Sequence, residues 1–101
     1  VLCGLGGVFE EVFKDVALYP APLNREEALR MIRSLKGYKL LAGYRGEKEG
    51  DVEALAEFVV QVAEYAPKNK ATLTDLDINP LFVYPKGEGV VMADALIVKR
   101  R

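Results

Sequence analysis

The sequence predicts an α+β fold, a mostly antiparallel sheet with two helices packed on one face. Three observations point to it. Apolar residues recur at helical spacing over residues 24–37 and again over 51–67. Runs rich in Val, Leu, Ile and Phe stand at both ends of the chain, flanking those helices. Near the C-terminal end two such runs are joined by Pro85-Lys86-Gly87-Glu88, which is turn chemistry, so they form a hairpin. The predicted order is β, β, α, loop, α, β, β, with no internal repeat and no low-complexity tract.

With 101 residues, half of them apolar, the chain makes one compact domain, 1–101, with enough side-chain volume for a core. Fourteen Lys and Arg stand against fifteen Asp and Glu, so no net field recruits nucleic acid or an anionic membrane. Cys3 is the only cysteine and histidine is absent. No internal disulfide can form, a reducing cytoplasmic setting is expected, and Cys3, lacking a histidine partner, is read as a small buried residue. No apolar run approaches the roughly 20 residues of a membrane span, and no signal peptide is visible. The chain opens at Val1 inside a strand and without an initiating Met, which is expected of a processed product or of a piece of something longer.

Taken in order, Val1-Leu2-Cys3 is the end of a strand running into Gly4-Leu5-Gly6-Gly7. Such a glycine-rich turn is either a plain β-turn or a cradle in which backbone N–H groups meet phosphate. It carries neither a Walker lysine nor a GxGxxG opening a helix. Val8 to Leu18 reads as β, with a bulge or turn near Lys14-Asp15, and Glu11 and Asp15 fall on one parity, the wet face of an edge strand. Pro20 and Pro22 close it, since neither can donate to a ladder.

Asn24-Arg25-Glu26-Glu27 has the form of a capping box. Ala28, Leu29, Ile32 and Leu35 follow as the apolar stripe of a helix of about three turns, with Gly37 suited to the residue just past its end. Tyr38 to Tyr44 leads into Gly43-Tyr44-Arg45-Gly46, where a guanidinium held between glycines is either plain surface or set to meet phosphate or carboxylate. Asp51 caps a second helix whose stripe is Val52, Leu55, Phe58, Val59 and Val62, ending near Pro67.

The stretch Thr74 to Tyr84 then alternates: Asp75, Asp77 and Asn79 on one face, Leu76, Ile78 and Phe82 on the other. Its partner is Val90 to Val98. A two-residue loop at Lys86-Gly87 and a four-residue loop at Pro85 to Glu88 give the same register, Tyr84 opposite Gly89 and therefore Asn79 opposite Asp94, with Cβ atoms about 4.5–5.5 Å apart. A three-residue loop would shift that register by one. Asp77 and Asn79 are separated by roughly 6.5 Å of backbone, too far to share one small ion comfortably. Asn79 and Asp94 are thus the expected ligand pair for a divalent cation, with Asp77 supporting. The competing reading is that these carboxylates merely line a wet face.

Gly4-Leu5-Gly6-Gly7-Val8, Glu11, Lys14-Asp15-Val16, Ala21-Pro22-Leu23, Gly43-Tyr44-Arg45-Gly46, Leu76-Asp77-Ile78-Asn79-Pro80-Leu81 and Ala93-Asp94-Ala95 occur in that order over nearly the whole chain. In this they resemble the C-terminal part of the ATP-grasp domain of NDP-forming acyl-CoA synthetases. ADP-forming acetate–CoA ligases are the nearer likeness and the succinyl-CoA synthetase β subunit a more distant one.

The resemblance implies a C-terminal ATP-grasp lobe, part of an acid–thiol ligase that interconverts acyl-CoA, ADP and phosphate with acid, CoA and ATP through a phosphohistidine. It implies Mg2+ held by Asn79 and Asp94, and ATP or ADP as the nucleotide. The Gly4 to Gly7 loop and Arg45 are expected near the phosphates, so Gly6, Gly7, Glu11 and Arg45 form the cofactor-binding set. No catalytic residue is assigned. Without histidine the phosphohistidine lies on another segment, so the implied partners are the remaining ATP-grasp lobe and a CoA-binding domain or α subunit, in a hetero- or homo-oligomer. The isolated piece is expected to be inactive. The alternative is a docking or regulatory module in an acyl-CoA synthetase-like acetyltransferase fusion.

Overall fold

The structure, a computed structural model, describes residues 1–5, 15–44, 46, 48–78 and 80–100. Its elements are β1 (Leu2–Gly4), β2 (Val16–Leu18), α1 (Arg25–Arg33), α2 (Tyr38–Leu41), α3 (Val52–Lys68), β3 (Leu73–Ile78), β4 (Leu81–Val83), β5 (Val90–Met92) and β6 (Ala95–Lys99).

The capping box forms as the sequence dictates. Asn24 Oδ1 accepts from the Glu27 N–H at 2.8 Å, and Glu27 Oε1 accepts from the Asn24 N–H at 3.2 Å, so two of the donors that a helix start leaves unpaired are satisfied. The helix closes at Ser34, and Gly37 precedes α2 instead of ending α1. This short extra helix occupies what the sequence reads as loop. α3 starts as expected at Asp51 and ends at Lys68, one residue past Pro67.

α1 and α3 lie against each other and make the core. Ala28, Met31 and Ile32 of α1 and Ala56 and Ala63 of α3 are completely buried, with Leu29, Val52, Leu55 and Val59 beside them. Ala28 belongs to the expected stripe, whereas Met31, Ala56 and Ala63 add to it, and the three alanines matter for how close the helices come. Their small side chains let the two backbones approach, while Phe58 and Val62 remain only half-buried. Each large aliphatic side chain removed from water here contributes about 1.5–3 kcal/mol. An ion pair between Arg25 and Glu53 spans the two helices at the surface; both side chains are more than half exposed, so it adds little.

Among the described residues every strand pairing is antiparallel, but the strands form three two-stranded ribbons: β1 with β2, β3 with β6 and β4 with β5. The continuous strand expected over 74–84 is two strands, and so is its partner. Proline at position 80 has no N–H to give the ladder, so the pairing lapses there. Val1, Cys3, Leu5, Leu81, Val83 and Val90 pack on the helical core, whereas all five residues of β6 are exposed.

Candidate functional site

The hairpin carries the site. Leu81 pairs with Met92, Phe82 with Val91 and Val83 with Val90. The Tyr84 N–H donates to the Gly89 carbonyl at 3.0 Å, and the Glu88 N–H closes the turn on the Pro85 carbonyl at 2.9 Å. The loop is therefore the four-residue one, Pro85 to Glu88, and the register is the one the sequence predicts. Beyond the break, Ile78 pairs with Ala95, Leu76 with Ile97 and Asp75 with Val98, continuing the same register. The Ala93 N–H donates to the Pro80 carbonyl at 3.1 Å between the two ribbons.

The faces, however, invert across the break. Leu76 and Ile78 are half-buried in β3, but in β4 the half-buried residues are Leu81 and Val83, and Phe82 is 51% exposed. Phe82 thus does not share the core-facing side with Leu76 and Ile78. A ribbon interrupted at a residue without an N–H can swivel before it pairs again.

Asp77 stands on β3 opposite Leu96, and Asp94 lies two residues before Leu96. Both carboxylates are exposed. Asp94 Oδ1 accepts from the Ala95 N–H at 2.9 Å, which leaves Oδ2 without a hydrogen-bond partner among the described residues. Asp77 also lines a largely apolar recess of about 580 Å³ between α3 and the β3–β4 stretch, with Phe58, Val62, Ile78 and Leu81. No group of three or more His, Cys, Asp or Glu is gathered closely enough to cage a metal ion among the described residues. Magnesium does not need such a cage: it is commonly held by one or two protein oxygens and completes its shell with water and phosphate. An exposed carboxylate with an open oxygen fits that chemistry.

Asn79, Gly6, Gly7, Glu11 and Arg45 lie outside the described residues. Around them, Gly4 belongs to β1 and not to a turn: a Cβ there would meet Val16 Cγ1 at 2.9 Å and the Asp15 carbonyl oxygen at 3.0 Å, so the close approach of β2 requires glycine. Gly43 and Gly46 both have positive φ, 93° and 80°, so the loop holding position 45 is bent at each end in a conformation that favours glycine.

Two carboxylates emerge that sequence reasoning undervalued. Asp15, read as a wet-face charge, is 4% exposed and accepts the Lys36 and Gly37 N–H groups at 2.6 and 2.7 Å. Asp51, expected only as a helix cap, is 7% exposed and does more. Its Oδ1 accepts from Ala54 N–H at 3.1 Å, while Oδ2 accepts from Gly89 N–H at 2.8 Å and Gly87 N–H at 3.1 Å. The Ala54 N–H, then the Gly89 and Gly87 N–H groups and the nearby Lys86 charge, hold its carboxyl below the usual carboxylate range against the opposing effect of burial. Burial pushes the Cys3 thiol up, in keeping with a packed residue and not a nucleophile. No helix among the described residues is long and apolar enough to cross a membrane.

Comparison with known proteins gives a consistent picture. The profile of the ATP-grasp domain matches residues 1–98. The β subunit of ADP-forming acetate–CoA ligase II from Pyrococcus furiosus is 41% identical over 98 residues, which are 97% of this chain and 42% of the relative. ADP-forming acetate–CoA ligase II of Archaeoglobus fulgidus is 47% identical over 95 residues, 94% of this chain and 13% of that much longer protein. Among solved structures, the dinucleotide-forming acetyl-coenzyme A synthetase 1 of Ca. Korarchaeum cryptofilum superposes with a TM-score of 0.89 at 39% identity, covering 98% of this chain and 45% of that one. It was solved with coenzyme A and Mg-AMPPCP, its phosphohistidine segment pointing towards the nucleotide-binding site. The chain thus spans less than half the length of the relatives it matches.

Proposed function

The chain belongs to the ATP-grasp family, and from that premise we propose that it is the magnesium–nucleotide lobe of an ADP-forming acyl-CoA ligase of the acetate–CoA ligase type. It serves as the C-terminal ATP-grasp subdomain of a larger cytoplasmic enzyme, a hetero- or homo-oligomer. The remaining ATP-grasp lobe and a CoA-binding domain or α subunit complete the conversion of acyl-CoA, ADP and phosphate to acid, CoA and ATP. The chain has no histidine, so the phosphohistidine belongs to that other segment.

The observation that carries this reading is the hairpin register. Ile78–Ala95 on one side and Leu81–Met92 on the other flank the positions of Asn79 and Asp94 in a single alignment. In this reading Asp94 offers its open carboxylate oxygen and Asn79 its amide oxygen to Mg2+, with Asp77 supporting from the neighbouring strand position. Gly6 and Gly7 offer backbone N–H groups to phosphate, Arg45 offers its guanidinium fork, and Glu11 belongs to the same nucleotide-binding set. A bound Mg2+ would supply charge neutralisation on the transferring phosphoryl group. The protein's share is to hold the two oxygens between the paired ribbons β3–β6 and β4–β5.

The reading is tested in the assembled enzyme by following ATP formation from acetyl-CoA, ADP and phosphate. Asp94→Asn is expected to lower turnover by about 100-fold with the circular dichroism spectrum unchanged. Normal turnover in that variant would remove Asp94 from the site.

A further inference from the structure

We propose that Asp51 is a positioning residue for the cation site: by gripping the turn of the hairpin it fixes the register of the pairs Ile78–Ala95 and Leu81–Met92 that flank positions 79 and 94. The proposal rests on the reading of Asn79 and Asp94 as magnesium ligands.

A hairpin's register is set by its turn, and a slip of one residue sends every side chain of the slipped strand to the other face. This turn is conformationally free by composition. Gly87 and Gly89 have φ of 89° and 86°, and a Cβ at either would meet nothing within 4 Å, so packing does not hold them. Their N–H groups converge on one side-chain oxygen. Asp51 Oδ2 takes the N–H groups of Gly87 and Gly89 together, at 3.1 and 2.8 Å, one on each side of Glu88. Only a turn that aims both N–H groups at one point can make that contact, and this turn sets Tyr84 against Gly89. A three-residue loop would break the grip and move Asp94 away from position 79.

The grip is anchored at its other end. Oδ1 of the same carboxylate caps α3 through the Ala54 N–H, and α3 supplies Val52, Leu55, Ala56, Val59 and Ala63 to the buried core. The Asp51 N–H donates to the Tyr84 carbonyl at 2.8 Å, the Lys86 N–H donates to the Glu49 carbonyl at 2.8 Å, and Gly50 bridges to Pro85. Residues 49–51 thus fasten the turn to the helical layer. The carboxylate is the side-chain part of that fastening, and its residue is 7% exposed.

The two roles of Asp51 can be separated. Asparagine and serine both cap helices well. Asp51→Asn keeps an oxygen for Ala54 but turns an amide NH2 group, a donor, towards two N–H donors. Asp51→Ser keeps the cap and reaches neither glycine. In the complete enzyme loaded with ADP, calorimetric Mg2+ titration of Asp51→Asn is expected to show about 10-fold or greater loss of Mg2+ affinity, the size seen when a group that orients a ligand is removed. Without metal, the Gly87 and Gly89 amides should exchange with solvent faster than in the parent protein. In turnover, the half-saturating Mg2+ concentration should rise more than kcat falls. If Asp51→Asn does not fold, Asp51→Ser is titrated in its place with the same expectation.

A merely structural role would reduce the folded fraction and leave Mg2+ affinity unchanged in the folded protein; that result overturns the proposal. Asp94→Asn, titrated alongside, separates the two levels. If Asp94→Asn weakens Mg2+ binding and the Asp51 variants do not, the positioning role fails alone. If Asp94→Asn itself leaves Mg2+ binding unchanged, the ligand reading fails and the positioning role falls with it.

Discussion

Asp15 Oδ2 lies 2.7 Å from the Gly37 backbone nitrogen, and Oδ1 of the same carboxylate lies 2.6 Å from that of Lys36. One buried side chain thus ties the entry of β2 to the segment between α1 and α2. Replacing it with alanine leaves two N–H donors without their acceptor in a site that is 4% exposed in the parent. Asp15→Ala should lower stability by about 3 kcal/mol. Asp15→Asn, which still offers one acceptor, should lose less. Chemical denaturation measures both, and a loss below about 0.5 kcal/mol for the alanine variant would mean that solvent reaches those N–H groups.

Gly37 is the other side of that contact. A Cβ there would come within 2.1 Å of Leu5 Cδ1 and 3.1 Å of Asp15 Oδ2. Its backbone is not strained, with φ of −85°, so glycine is required by space alone. Gly37→Val should destabilise by about 1–3 kcal/mol through overpacking, and Gly37→Ala by less, because the Leu5 side chain can rotate away. Equal stability of Gly37→Val and the parent in urea titrations would show that the space is not confined.

The acid limb of stability should carry the mark of Asp51. Its folded carboxyl titrates below the ordinary value of about 3.9, because the Ala54, Gly89 and Gly87 N–H groups favour the charged form. The contribution is complete above the unfolded value and is lost as pH falls through the lower folded one. Thermal melts between pH 5 and pH 2 should therefore fall less steeply for Asp51→Asn than for the parent. Parallel curves would remove Asp51 from the acid transition.

The core and the β3–β6 ribbon should respond unequally to the same truncation. Ile32 is fully buried and Ile97 is 48% exposed. Ile32→Ala should lower stability by about 2–5 kcal/mol, while Ile97→Ala should cost under about 1 kcal/mol in the isolated chain. Comparable losses in denaturant titrations would place β6 in the cooperative core.

What the sequence made legible is local. The Asn24 box and the Asp51 cap involve partners three residues away, and the hairpin register follows from counting outward from a short turn. What it hid is contact at a distance. Asp15 meets residues 21 and 22 positions on, and Asp51 meets glycines 36 and 38 positions on. No periodicity announces either. The parity rule held along Leu76 to Ile78 and along Leu81 to Val83, but not across Pro80, where Phe82 is turned outward, nor in β6, where every residue is exposed. Of the candidate site, Asp94 and Asp77 are exposed, and the pairs on either side of position 79 keep the alignment that the turn implies.

If Asn79 and Asp94 together hold the cation that accompanies the nucleotide, both side chains govern its affinity. Mn2+, which accepts the same oxygen ligands as Mg2+, makes that directly measurable by electron paramagnetic resonance in the complete enzyme with ADP. Asn79→Ala and Asp94→Asn should each weaken Mn2+ binding by about 10-fold or more, and the double variant should lose less than the sum of the two free-energy changes, as expected of residues sharing one ion. Parent-like Mn2+ affinity in both single variants would contradict that shared coordination.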